Sequence, residues 1–185
     1  MDWRLVLTLI AFAIYFVYNA IAVCRFGAPK SLSMTYYNFQ ELNPKLKWCF
    51  PVMMCLMAGL LMPAWIDLSE GHNLQFMSFF AAIGIILVGM IPNFKDGRME
   101  KGMHTGAAIF AALFAILWVC LVANMWYVVL IWLILLVAVM ICTGTVKSSY
   151  IYWFETVAFA CTFTSIISFN SYSTSTLSTI QKVSS

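Results

Sequence analysis

Charge is scarce in this chain: 9% of its 185 residues are Asp, Glu, Lys or Arg, where an ordinary soluble domain carries about 25%. That excludes a soluble globular protein. A hydrophobic share of 63% and a mean hydropathy of +0.92 exclude intrinsic disorder, which needs low hydrophobicity and high charge. Ten basic against seven acidic residues leave +3 and no basic run, so nucleic acid is not an expected partner. Histidine is nearly absent: His72 and His104 fall short of the roughly three His or carboxylate ligands that a zinc-dependent intramembrane hydrolase needs. There is no Cys-x-x-Cys pair, no Gly-x-Ser-x-Gly nucleophile motif and no inverted internal repeat of the transporter kind. No cofactor is expected.

Long apolar runs are what the chain has in plenty. They do not alternate, which excludes a transmembrane β-barrel, and each approaches the roughly 20 residues that a helix needs to cross the hydrocarbon core. The pattern predicts an all-α, polytopic transmembrane helical bundle of six spans, in one domain over residues 1–169. The spans are about 3–23, 48–66, 74–91, 105–123, 125–142 and 150–169, and residues 170–185 form a Ser/Thr-rich, mobile external tail. The fourth and fifth spans form one apolar stretch of nearly forty residues, too long for a single tilted crossing. Asn124, followed by the interfacial-type Trp126 and Tyr127, is the place to turn.

Orientation follows from the basic residues, which resist translocation. Arg25, Lys30, Lys45, Lys47, Lys95, Arg98, Lys101 and Lys147, eight of the ten, fall in the loops after spans one, three and five. Those loops are expected to be cytoplasmic, with both termini outside. Ala20-Ile21-Ala22 resembles a signal-peptidase site. However, the apolar stretch before it exceeds an h-region of about 7–15 residues and the n-region lacks positive bias, so the first span is read as retained. Cys24, Cys49, Cys55, Cys120, Cys142 and Cys161 lie within spans or at their ends and are read as small buried thiols.

The first loop, 24–47, stands apart. Ser31 or Ser33 can cap a short helix ending at Asn43-Pro44, with Leu32, Tyr36 and Phe39 on one face. An interfacial helix and an irregular loop anchored by tyrosines both fit, and either keeps the loop at the membrane.

Glu155 is the one ionisable group placed inside a span, and such a group is a functional-site hypothesis by default. It shares a face with Ala158, Thr162 and Ser165, while span one carries Thr8, Ala11, Tyr15, Asn19 and Ala22 on another. In the third loop His104 opens span four, whose Ala107, Ala111 and Ala115 suit close packing. Asn19, Arg25, Asp96, Arg98, His104, Tyr150 and Glu155 could converge at one cytoplasmic mouth. Glu155 then has two readings. It is a proton or cation ligand, or a general base paired with His104, in a cavity open to the cytoplasm; or it neutralises Arg25 or Arg98, or snorkels to the interface, and pins helix six to its neighbours. His72, near Asp67 and Glu70 in an outer loop, reads as solvated polarity rather than a metal site.

A non-catalytic membrane protein, acting through helix packing, a protein partner or a second copy of itself, requires nothing that the chain lacks. A small transporter or ion-coupled protein needs Glu155, and an intramembrane enzyme is disfavoured. The run Phe26 to Tyr37, with Pro92-Asn93-Phe94-Lys95 and His104 opening an Ala-rich helix, resembles small multi-helix membrane proteins of gut bacteria and their phages. The proline-to-histidine loop also resembles the Frag1-like and DUF998-type membrane families. The likeness covers about half the chain and brings no catalytic motif. It implies a six-helix bundle with a cytoplasmic face built from the first and third loops; the expected location is a bacterial inner membrane. It also adds emphasis to Ser31, Tyr36, Tyr37, Lys95 and His104.

Overall fold

A computed structural model describes residues 2–95, 97–144 and 148–184, with side chains as far as residue 170. Among the described residues the chain is all-α. Its seven helices are α1 (Trp3–Phe26), α2 (Met34–Leu42), α3 (Cys49–Leu68), α4 (Phe76–Met90), α5 (Arg98–Leu121), α6 (Trp126–Thr143) and α7 (Tyr150–Ser184), with a 3-10 turn at Leu46–Trp48 before α3. Five of the helical segments are long and apolar enough to cross a membrane; α4, at 15 residues, is a shorter apolar helix.

Contacts at the two ends fix the arrangement. At one end Arg4 bridges Asp67 at 3.1 Å, joining the start of α1 to the end of α3, and the Trp118 indole N–H donates to Ser69 Oγ at 2.6 Å, joining the ends of α3 and α5. At the other end α2 and the loops before α3, α5 and α7 come together; we call it the cap end. Successive long helices therefore run antiparallel. Arg4 also holds Asp2, the N-cap of α1, and that hydrogen-bonded guanidinium keeps the Asp2 carboxyl below the usual carboxylate range.

The core lies around α3, which packs against α1, α4, α7 and α2 and buries Phe50, Met57, Leu61 and Trp65 completely. α1 turns its small and polar face inward: Thr8, Ala11, Tyr15, Tyr18, Asn19 and Ala22 are its buried residues. α4 and α5 approach closely at Gly84, where a Cβ would stand 2.7 Å from the Ala111 Cβ, so only glycine fits that crossing. α6 is the least covered of the long helices, and it meets α7 through Leu136, Met140, Val157 and Cys161.

Where the chain departs from its hydropathy pattern, local hydrogen bonds decide. At Asn124 the φ of 53° is left-handed, a conformation asparagine tolerates better than most residues, and Met125 N–H closes the end of α5 on the Val119 carbonyl at 2.9 Å. α4 begins only at Phe76 because the preceding residues form turns: Leu74 N–H donates to His72 Nδ1 at 3.2 Å and Gln75 Nε2 to the Ile66 carbonyl at 3.0 Å. α5 begins at Arg98 rather than near Thr105, since Arg98-Met99-Glu100-Lys101 are good helix formers with an acidic residue in the first turn. The helix of α7 continues past Phe169 to Ser184, because backbone hydrogen bonding need not stop where hydropathy falls. Of the six free thiols, Cys161 is buried and Cys120 half-buried. Cys24, Cys49, Cys55 and Cys142 face outward, against the expectation of burial.

Candidate functional site

The segment Ala28 to Leu32 lies across the first turns of α7, and three hydrogen bonds hold it there. Ser149 Oγ donates to the Ala28 carbonyl at 3.0 Å, and Tyr152 N–H to the Lys30 carbonyl at 3.3 Å. Leu32 N–H donates to Glu155 Oε2 at 2.6 Å. The Tyr152 amide is one of the N–H groups that the start of a helix leaves without an intrahelical acceptor, and the Ala28–Leu32 segment, which we call the strap, supplies one. Glu155 does the converse, placing a carboxylate at the turn that opens α2, where the helix start favours negative charge.

The strap continues into α2, which is helical as one reading of the first loop expects. Leu32, Tyr36 and Phe39 are buried together, with Phe39 against the rings of Tyr18 and Phe26. Tyr18 OH is hydrogen-bonded to Thr35 Oγ1, which donates in turn to the Leu32 carbonyl at 2.6 Å. Ser31 Oγ accepts from Met34 N–H at 3.3 Å and lies 3.1 Å from Ser33 Oγ, so Ser31 caps the turn. Thus α2 packs inward on α1 rather than resting only on an interface.

Asn19 joins this cluster. Its Nδ2 donates to the Tyr15 carbonyl at 2.9 Å, and its Oδ1 accepts from Tyr152 OH at 3.1 Å, so α1 and α7 are cross-linked one turn from Glu155. Arg25 is exposed, as is Tyr150. Among the described residues no ion pair reaches Glu155, which corrects the expectation that Arg25 or Arg98 neutralises it. The pinning partner is a backbone amide instead.

His104 belongs to a second cluster and does not pair with Glu155. Its Nδ1 lies 2.7 Å from the Ile91 carbonyl, and its ring stacks on Phe94 with centroids 4.7 Å apart. Phe94 meets Tyr37 edge-on at 5.3 Å, Lys95 N–H donates to Tyr37 OH at 2.8 Å, and Lys95 Nζ sits over the Tyr37 ring at 4.3 Å. This stack fastens the third loop to α2. The single mouth expected from the sequence is therefore two clusters, because the loop before α5 folds back on the second turn of that helix and engages His104. Arg98, at the start of α5, is exposed, while Asp96 and Lys147 lie outside the described residues.

Between the clusters, a narrow crevice of about 60 Å³ enters the bundle among α3, α4, α5 and α7. Leu32 and Ser33 of the strap, Glu155 and Thr162 of α7 and the alanine face of α5 line it, and Trp65 contributes a fully buried side chain. The indole N–H of Trp65 has no acceptor among the described residues. Among those residues, no group of three His, Cys, Asp or Glu side chains could hold a metal ion.

No family model, no curated protein and no solved structure matches the chain.

Tyr152 and Trp65 were not singled out from the sequence. Tyr152 lies three residues before Glu155 and so on its helical face, which is a usable signal. The Leu32 amide leaves none, since every residue but proline has one.

Proposed function

We propose that this chain is a multi-pass integral membrane protein of six spans that carries out no chemistry of its own. It works through a prebuilt cap of cytoplasmic loops that meets a protein partner or a second copy of the chain. The observation that carries this reading is where the two candidate catalytic side chains go. Glu155 holds the Leu32 amide and His104 the Ile91 carbonyl, so both serve to fix loops. A general base needs its lone pair within reach of a substrate proton, and these contacts direct both groups to the protein's own backbone.

Several features support the membrane assignment. Apart from Glu155, the apolar helices carry their charged residues near their ends, and Arg4, at the end opposite the cap, is neutralised by Asp2 and Asp67. Seven of the ten basic residues, Arg25, Lys30, Lys45, Lys47, Lys95, Arg98 and Lys101, lie in the loops or at the helix ends of the cap end, which the positive-inside rule makes cytoplasmic. α4 rises about 22 Å over its 15 residues. It spans if the bilayer thins locally around it, a cost of fractions of a kcal/mol per Å. Within lipid, close contact between small residues and interhelical hydrogen bonds replace the hydrophobic drive. Gly84 against Ala111 and Tyr152 with Asn19 supply both.

The test is purification in mild detergent. A stoichiometric protein, or a defined oligomer, should accompany the wild type and be lost in Glu155→Ala, which releases the strap. A second reading, an ion-coupled transporter, is favoured by the contact of Glu155 with the crevice. Proton- or cation-dependent flux in liposomes that Glu155→Gln abolishes would replace the first reading with the second.

A further inference from the structure

An open groove runs between α3 and α4 on the outer surface at the cap end. Trp48, Val52 and Leu56 recur at four-residue spacing and so form one stripe along the start of α3. Opposite them stand Gly89 and Met90, at the end of α4, and Pro92 just beyond it. The groove encloses about 500 Å³, and no charged side chain lines it. Its floor is closed, because a Cβ on Gly89 would stand 2.9 Å from the Met54 Cβ and 3.3 Å from the Pro51 carbonyl oxygen. Its sides are open: Val52 is 53% and Met90 69% exposed.

Charge enters at the rim. Lys47 Nζ lies 5.6 Å from the centre of the Trp48 ring and makes no ion pair among the described residues. Tryptophan at the start of a span marks headgroup level. From Trp48 to Leu56 the stripe descends about 12 Å toward the middle of the bilayer. Around the rim, the seven basic residues of the cap end face only Glu41, Glu100 and the inward-held Glu155 among the described residues.

We propose that this groove binds one anionic phospholipid of the cytoplasmic leaflet. Its phosphate pairs with Lys47, its glycerol lies against Trp48, and a stretch of one acyl chain runs down the stripe between Val52, Leu56 and Met90. The other chain stays in the bilayer. Bulk lipid covers every outward face of a spanning helix, but here a concave apolar track meets a lysine at headgroup level. A zwitterionic lipid offers the same phosphate, yet its quaternary ammonium meets a surface of like charge. The assignment rests on the reading of the chain as a membrane protein with its cap in the cytoplasm, and it needs no protein partner. A bilayer thinned around the short α4 brings headgroups down to the end of that helix.

The full chain in detergent is titrated with palmitoyl-oleoyl phosphatidylglycerol, or with the phosphatidylcholine of the same chains, and bound lipid is counted by native mass spectrometry. One phosphatidylglycerol should be held about fivefold more tightly than phosphatidylcholine, as expected of one lysine near the membrane surface. Lys47→Gln should remove that preference. Lys101→Gln, an equal change of charge outside the groove lining, should keep it. Val52→Trp, which fills the groove from an exposed position, should release both lipids. If that variant does not fold, labelling in nanodiscs by a phosphatidylglycerol with a diazirine in its acyl chain decides in its place. Val52, Leu56 or Met90 should then be labelled in preference to the exposed Leu130 and Ile134 of α6. Equal retention of the two lipids, equal loss in both lysine variants, or labelling spread evenly over α6 and the groove would each overturn the proposal. A chain that enters nanodiscs yet shows no lipid preference refutes this site alone, whereas one that stays in solution without detergent refutes the membrane reading and the site together.

Discussion

Removing the Glu155 carboxylate should open the strap without unfolding the bundle. In Glu155→Ala the Leu32 amide, in a residue only 3% exposed, loses its acceptor at 2.6 Å. A hydrogen bond to a charged group contributes about 1.5–3 kcal/mol. At about 1.4 kcal/mol per decade, local opening should become about tenfold to a hundredfold more frequent. The two remaining strap bonds, from Ser149 and Tyr152, involve neutral groups and do not compensate. Glu155→Gln keeps an acceptor without the charge and should lose about half as much. Hydrogen exchange measured by mass spectrometry in nanodiscs reads this directly. Peptides covering residues 28–36 should exchange faster in the order wild type, Gln, Ala, while peptides from 109–117 stay unchanged. Unaltered exchange at 28–36 in Glu155→Ala, or equal acceleration throughout the chain, would refute the role assigned to Glu155.

Three further outcomes follow from local geometry. Gly84→Ala places a Cβ 2.7 Å from the Ala111 Cβ. It should cost about 1–3 kcal/mol from overpacking, read as a lowered Tm. Gly59→Ala, with nothing within 4 Å, should be neutral or slightly stabilising. At Asn124, with φ 53°, Gly should be tolerated and Ala should cost about 1 kcal/mol in thermal unfolding. Because the folded Asp2 carboxyl is held below its ordinary value, its contribution is present above the unfolded pKa and is lost as pH falls through the folded one. Amide exchange in the first turn of α1 should therefore rise on acidification below about pH 4, and Asp2→Asn should remove that dependence.

Hydropathy located the helices because an apolar run reports its own burial, whether in a core or in lipid. It also identified Asn124 as a turn and the small, polar faces of α1 and α7 as inward. It misplaced the start of α5, since the polar residues Arg98 to Lys101 form a helix as readily as apolar ones. It lengthened α4, since the turns at His72 to Gln75 depend on individual hydrogen bonds. Glu155 stood out from its depth alone, but its partner is a main-chain amide, which no residue type announces. The contact of His104 with Phe94 and Tyr37 depends on how a short loop folds back, and residue spacing within one helix carries no information about that.

Cysteine accessibility can establish whether the proposed bundle crosses the membrane six times with its cap in the cytoplasm. In a chain with its six native cysteines replaced, Gln40→Cys on α2, Asn73→Cys before α4 and Lys95→Cys before α5 probe the three loops that flank α3 and α4. A membrane-impermeant maleimide added to intact cells should label the Asn73 variant, and the Gln40 and Lys95 variants only after permeabilisation. Labelling of the Gln40 variant from outside would invert the orientation. Labelling of the Lys95 variant alongside that of Asn73 would show that α4 does not cross, and would contradict the six-span account.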